Sequence, residues 1–162
     1  MSTQTDPSRQ QNPPRQTGQS FQIRGRGIVP GRTAGEALVS HETISGWGGI
    51  DPARGIIIES RHELFEVCFT DKILIFPGAK GSSGWSGFFQ STRLMGTAPR
   101  AMIFTAMSTK SVLGAVVTRV PTISELDRDP VELIQTGDWV DVDADSGVIT
   151  VTPRTEGVSH RA

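Results

Sequence analysis

The chain has 162 residues, 36% of them hydrophobic, which suits one domain with an ordinary single core. Its 16 Lys and Arg against 17 Asp and Glu leave a net charge of -1, which excludes a basic footprint for nucleic acid, and no apolar run approaches the roughly 20 residues of a membrane-spanning helix. Cys68 is the single cysteine, which excludes an internal disulfide and a thiolate set able to hold zinc or an iron–sulfur cluster.

In chain order, residues 1–7 lack the positive region and apolar stretch of a secretory signal, so a cytoplasmic protein is expected. Residues 2–20 hold no large apolar side chain, and residues 1–20 are expected to be a disordered tail. The folded domain is placed at residues 21–153, followed by a C-terminal tail at 154–162. Phe21, Gln22, Ile23 and Arg24 alternate as a half-buried strand does, after which Gly25, Gly27, Gly31 and Gly35 are expected to break the chain. Their spacing misses a dinucleotide loop, because the third glycine comes one position late and Pro30 stands where a helix should open.

Residues 37–39, 55–59 and 72–76 read as strands, the last halted by Pro77 and Gly78. Gly81, Ser82, Ser83 and Gly84 form a loop before a helix with Trp85, Phe88, Phe89, Thr92 and Met95 at helical spacing, closed by Gly96. Residues 101–105 are the next strand. Residues 111–120 read as a short helix or turn leading into a strand at Ala115, Val116 and Val117. Residues 139–143 alternate strictly, Asp145, Ser146 and Gly147 supply turn chemistry, and residues 148–151 return as a β-hairpin. The carboxylates of Asp141, Asp143 and Asp145 miss the calcium-loop pattern, since Gly147 falls at the seventh place and Thr152 at the twelfth. They read as a solvated strand face.

Two stretches offer chemistry. Residues 77–86 put glycines and hydroxyls at the mouth of a helix, where free N–H groups and the positive end of the dipole suit a carboxylate or phosphate. An ordinary capped turn is the plainer alternative. Trp47, Gly48, Gly49, Ile50, Asp51 and Pro52 combine close backbone approach with a carboxylate, and their plainer alternative is a tight Asp-Pro turn. His41 and His62 show no metal-ligand spacing, His160 lies in the terminal tail, and Gly84-Trp85-Ser86-Gly87 misses the nucleophile-elbow pattern by a residue.

Taken in order, the segments at 35–40, 44–52, 55–59, 62–64, 72–77, 81–83, 96–101 and 114–117 resemble the small subunit or swivel domain of the aconitase X family. The resemblance implies an α/β fold, a swivelling β/β/α domain that is mostly β with a few short helices. It also implies a large catalytic subunit as partner, carrying an iron–sulfur cluster, with no cofactor or metal bound by this chain. The implied reaction is dehydration of a small hydroxy acid, of the cis-3-hydroxy-L-proline or mevalonate 5-phosphate type. By position in the Gly-Ser-Ser segment, Ser82 is the implied catalytic base, with Gly81, Ser83, Ser86, Gly48, Gly49 and Asp51 as substrate-binding positions. The chain departs from the family pattern at Lys80, where arginine is common, at Gly46, where an aromatic is common, and at Phe65-Glu66, where a glycine usually follows. Trp85 is an unusually bulky neighbour of the serines.

Two other readings stand beside this one: a non-catalytic binding or regulatory module that keeps the fold, and an independent small enzyme. The neighbourhood of Trp47, Trp85 and Phe88 is the expected exposed apolar surface for a partner.

Overall fold

The computed structural model describes residues 18–81 and 84–155. The expected tails at 1–20 and 154–162 lie outside the described residues except for 18–20 and 154–155, and the serines 82 and 83 lie outside them as well.

Strand β1 (Phe21–Arg24) forms as the alternation demands, with Ile23 fully buried and its neighbours facing outward. After Gly25 the chain continues as β2 (Arg26–Val29) and then β3 (Arg32–Val39). The expected breaks at Gly27 and Gly35 do not occur, since both glycines lie inside strands. Gly27 is instead a point of close approach: a Cβ there would come within 1.9 Å of the Ala144 carbonyl oxygen.

Short strands β4 (Ile44–Ser45), β5 (Ile50–Asp51) and β6 (Ile56–Ile57) follow. The strand expected at 55–59 shrinks to those two isoleucines. Gly55 has φ +66°, and a Cβ on it would meet Thr70 Oγ1 at 2.0 Å; the position closes the turn at 52–55 and does not open the strand. Strand β7 (Ile73–Phe76) leads through β8 (Ala79–Lys80) to helix α1 (Trp85–Met95), whose end is closed by Gly96 at φ 73°. Next come β9 (Ala101–Phe104), α2 (Thr109–Thr118), β10 (Thr122–Ser124), α3 (Pro130–Leu133), β11 (Trp139–Asp143) and β12 (Val148–Thr152). Residues 115–117 are helical, not a strand, because Ser108 caps α2 reciprocally with Ser111 and commits the apolar run to a helix.

The main sheet runs β1-β12-β11-β3-β7-β9-β10-β2. Its two ends are successive pieces of chain, separated by Gly25 alone, so the sheet folds back on itself into two layers. The long strand β3 serves both layers, pairing antiparallel with β11 through residues 32–36 and parallel with β7 through residues 37–39. Strands β7, β9 and β10 continue the parallel part.

One core lies between the layers: Ile23, Ile73, Ile75, Ile103, Val140 and Ile149 are among its members. A second lies between the parallel strands and the helices, with Leu74, Phe76, Met102 and Phe104 meeting Trp85, Phe89 and Ala115. Alternate residues of β7 and β9 thus enter different cores, which is why both strands are continuously apolar. The architecture is the expected mostly-β α/β fold in β/β/α layers. No helix among the described residues is long and apolar enough to cross a membrane.

Candidate functional site

The parallel strands end at one edge, and the loops that leave it carry the candidate residues. In open α/β sheets ligands settle at such carboxyl ends. After β7, Gly78 at φ 149° and Gly81 at φ 94° turn the chain into the head of α1. Gly84 occupies the N-cap with no side chain capping it and no acidic residue in the first turn. The helix therefore begins with its partial positive charge uncompensated by its own side chains. Ser86 is half-buried in the first turn, while Ser82 and Ser83 lie outside the described residues.

Trp85 anchors this head. It is 1% exposed, its Nε1 donates to the Ile44 carbonyl oxygen at 2.8 Å, and its ring stacks on Phe89 with centroids 4.2 Å apart. The expectation that Trp85 is exposed is therefore wrong: the indole N–H finds a partner, and the ring fills the helix–sheet core. Trp47 is 79% exposed and meets the half-buried Phe88 edge-on at 5.7 Å.

The two chemistry-bearing stretches are brought together. Strand β4 pairs in parallel with β8, placing Ser45 opposite Lys80. Gly46 then lies against α1, where a Cβ would meet the Trp85 Cα at 2.9 Å and the Phe88 Cβ at 3.3 Å. Two departures from the family pattern, Gly46 and Trp85, thus touch each other.

Gly48, at φ 67°, turns an exposed tip with nothing near its missing Cβ, and Gly49 packs its backbone on the Ser45 carbonyl oxygen. Asp51, Pro52 and Ala53 face Gly84, Gly87 and Phe88 across an open cleft of about 330 Å³. The Asp51 carboxylate is already engaged, accepting from Arg54 Nε at 2.6 Å and from the Ala53 N–H at 3.0 Å. Arg54, and after it the turn's own N–H groups, hold it below its ordinary value against the opposing effect of desolvation. The plainer reading of the Asp-Pro turn describes this carboxylate.

Sequence reasoning missed Lys110. Its ammonium donates to the Gly81 carbonyl oxygen, linking the first turn of α2 to the loop before α1. The Ser-Thr-Lys-Ser helix start was the available signal, but only packing brings it to Gly81. Lys80, beside the same loop, pairs with Glu59 at 3.0 Å.

His62 is buried next to this edge. Its Nδ1 accepts the Leu64 N–H at 3.0 Å, which leaves Nε2 to donate to the Thr43 carbonyl oxygen at 3.2 Å. Ser40 Oγ lies 3.4 Å from Nε2 but donates to the Glu42 carbonyl oxygen at 2.6 Å. With Nδ1 taken by a backbone donor and Ser40 fully buried, the trio pins the loop and is not a nucleophile–base pair. Nearby, burial raises the Glu63 carboxyl, and the His41 N–H and imidazole outweigh it, leaving Glu63 below its ordinary value.

An iron–sulfur cluster requires several thiolates. Cys68 is the single thiol, exposed and remote in sequence from the loop, and no group of three His, Cys, Asp or Glu is assembled among the described residues. These residues do not fit a cluster.

A folded-over mixed sheet with two helices on its parallel half, and a glycine-rich loop at their heads, is the frame of a β/β/α swivel-type domain. The chain belongs to the aconitase X family: the sequence profile of the aconitase X swivel domain matches residues 22–151. It is 40% identical over 132 residues to the phosphomevalonate dehydratase small subunit of Methanocella arvoryzae, covering 82% of this chain and 100% of that protein. The protein of the same name from Archaeoglobus fulgidus is 40% identical over 124 residues, 76% of this chain and 93% of its own. In the crystal structure of holo-form aconitase X from Thermococcus kodakaraensis, one chain superposes with a TM-score of 0.77 at 33% identity, covering 82% of this chain and 99% of that one.

Proposed function

We propose that this chain is the small subunit of a two-subunit dehydratase that removes water from mevalonate 5-phosphate in the cytoplasm, with Ser82 as the base. The observation that carries the reading is that relatives matched over nearly their whole length bear the name phosphomevalonate dehydratase small subunit. That name favours the phosphorylated substrate over cis-3-hydroxy-L-proline.

The chemistry asked of the chain is limited. Dehydration breaks one C–H and one C–O bond and forms a C=C bond and water, so the small subunit need only accept the proton. A serine does this if its alkoxide is stabilised, and the head of α1 supplies N–H groups for that purpose. In this reading the loop at 77–81 and Gly84 position Ser82. Gly81, Ser83 and Ser86 line the substrate side, and the turn at Gly48, Gly49 and Asp51 forms the facing wall. The large subunit supplies the remaining substrate contacts.

The test is Ser82→Ala in the assembled enzyme. The variant should bind the large subunit as the native chain does and lose turnover of mevalonate 5-phosphate. Equal turnover would remove Ser82 from the reaction.

A further inference from the structure

We propose that His62 is a proton-operated latch: as a neutral imidazole it holds the turn at 62–66 closed, and as an imidazolium it releases that turn, whatever reaction the assembled protein performs. The residue is 7% exposed, and both ring nitrogens are engaged. Nδ1 accepts the Leu64 N–H at 3.0 Å and Nε2 donates to the Thr43 carbonyl oxygen at 3.2 Å, an arrangement open only to the neutral ring with its proton on Nε2. A second proton goes to Nδ1. That nitrogen then becomes a donor facing a donor, and the Leu64 N–H loses its acceptor.

The turn is built to respond. Glu66 has φ 65°, a conformation that residues with a Cβ adopt poorly, and its N–H is held by the Ile57 carbonyl oxygen at 2.8 Å. Leu64 packs on the helix–sheet core, and Phe65, between the two in sequence, is exposed. Freeing the Leu64 N–H therefore removes one tether from a strained turn. An acceptor for the new proton is close by: Glu42 Oε2 lies 3.9 Å from Nδ1 and accepts the Glu63 N–H at 2.7 Å. Drawing Glu42 onto the imidazolium changes the seam between residues 41–43 and 62–64.

The charged groups around the ring leave it as the group that switches. From the chain at 40–44 it is faced by Glu42, while His41 pairs with Glu63, whose carboxylate also accepts the His41 N–H. On the ring's own segment Glu59 is taken by Lys80 of β8, and Arg61 is exposed. Against the burial that raises it, His41 keeps the Glu63 carboxyl below its ordinary value. Glu63 thus stays ionised between about pH 5 and 8, where an imidazole changes charge. His41 is the other imidazole of this seam, but its side chain is exposed and takes no part in the Leu64 bond.

The test follows the full chain by NMR from about pH 8 down to about pH 5. The ring nitrogen shifts of His62 should show the Nε2–H tautomer at the upper end. On acidification the Leu64 amide should move upfield with the same midpoint as the His62 ring, and its protection from exchange should fall about 5-fold, the scale of one hydrogen bond. The transition should persist in His41→Gln and vanish in His62→Gln, which keeps a donor and an acceptor without a titrating charge. Glu42→Gln should move it to lower pH, because a carboxylate favouring the imidazolium is gone. A Leu64 amide that does not follow His62, a ring that stays neutral throughout, or a transition that follows His41 would overturn the proposal. Should His62→Gln fail to fold, the titrations of the native chain and of His41→Gln decide between the same outcomes.

Discussion

Gly114 shows how one residue sets the separation of two elements. A Cβ on it would lie 2.0 Å from the Trp85 Cζ3, so α2 lies against the indole face only because the side chain is absent. Gly114→Ala should destabilise the fold by about 1–3 kcal/mol, the usual cost of overpacking, as measured by urea unfolding. A stability unchanged from the native chain would mean that the helices can separate without penalty. At this scale the sequence was least legible. Gly27 and Gly35 read as breaks because a glycine in a strand and a glycine in a turn look alike until the neighbour that needs the space is known. Trp85 read as surface because its apolar ring and polar N–H suit both places, and only the Ile44 carbonyl decides between them. For Lys110 the Ser-Thr-Lys-Ser start signals a helix but not a contact, since its partner is a backbone oxygen 29 positions away.

The hairpin of β11 and β12 is an element whose turn chemistry makes a pH-dependent contribution. Asp143 Oδ1 accepts the N–H groups of Asp145 at 3.1 Å and Ser146 at 3.2 Å, and Arg32 lies 3.4 Å away. Hydrogen bonds from Ser146, with smaller help from Arg32 and Asp145 and against desolvation, hold the carboxyl below its ordinary 3.8. A group depressed in the folded state contributes stability above its unfolded pKa and loses it as pH falls through the folded one. The Tm difference between the native chain and Asp143→Asn should therefore be steady above about pH 5 and shrink below about pH 4. A difference that does not vary with pH would show that the carboxylate charge is not what the turn uses.

This hairpin was legible because strict alternation flanks Asp145, Ser146 and Gly147, and β7 was legible because Pro77 and Gly78 stop it. The run at 115–117 was not, since its β-branched residues suit either state and the deciding Ser108 cap lies outside it. Strand β10 and the one-turn helix α3 were missed because three or four residues carry no period.

For the whole molecule, closure matters most. Because Gly25 alone separates β1 from β2, both ends of the sheet are secured by one short piece of chain, and the parallel half presents its loops at a single edge. Those loops join the two stretches that sequence singled out, through the β4–β8 pairing and the contact of Gly46 with Trp85. The resemblance carried by separated segments supplied the family. Which of their residues meet, and that the Asp51 carboxylate is satisfied by Arg54, follow from packing alone.

In the proposed dehydratase this edge works only when a second subunit faces it. Co-expression with a large subunit of aconitase X type, followed by co-purification and an assay for water loss from mevalonate 5-phosphate, tests it most directly. A stable complex that dehydrates this substrate, with neither subunit active alone, is the expected result. Failure of the chains to associate would contradict the account and favour a binding module that keeps the fold without the reaction.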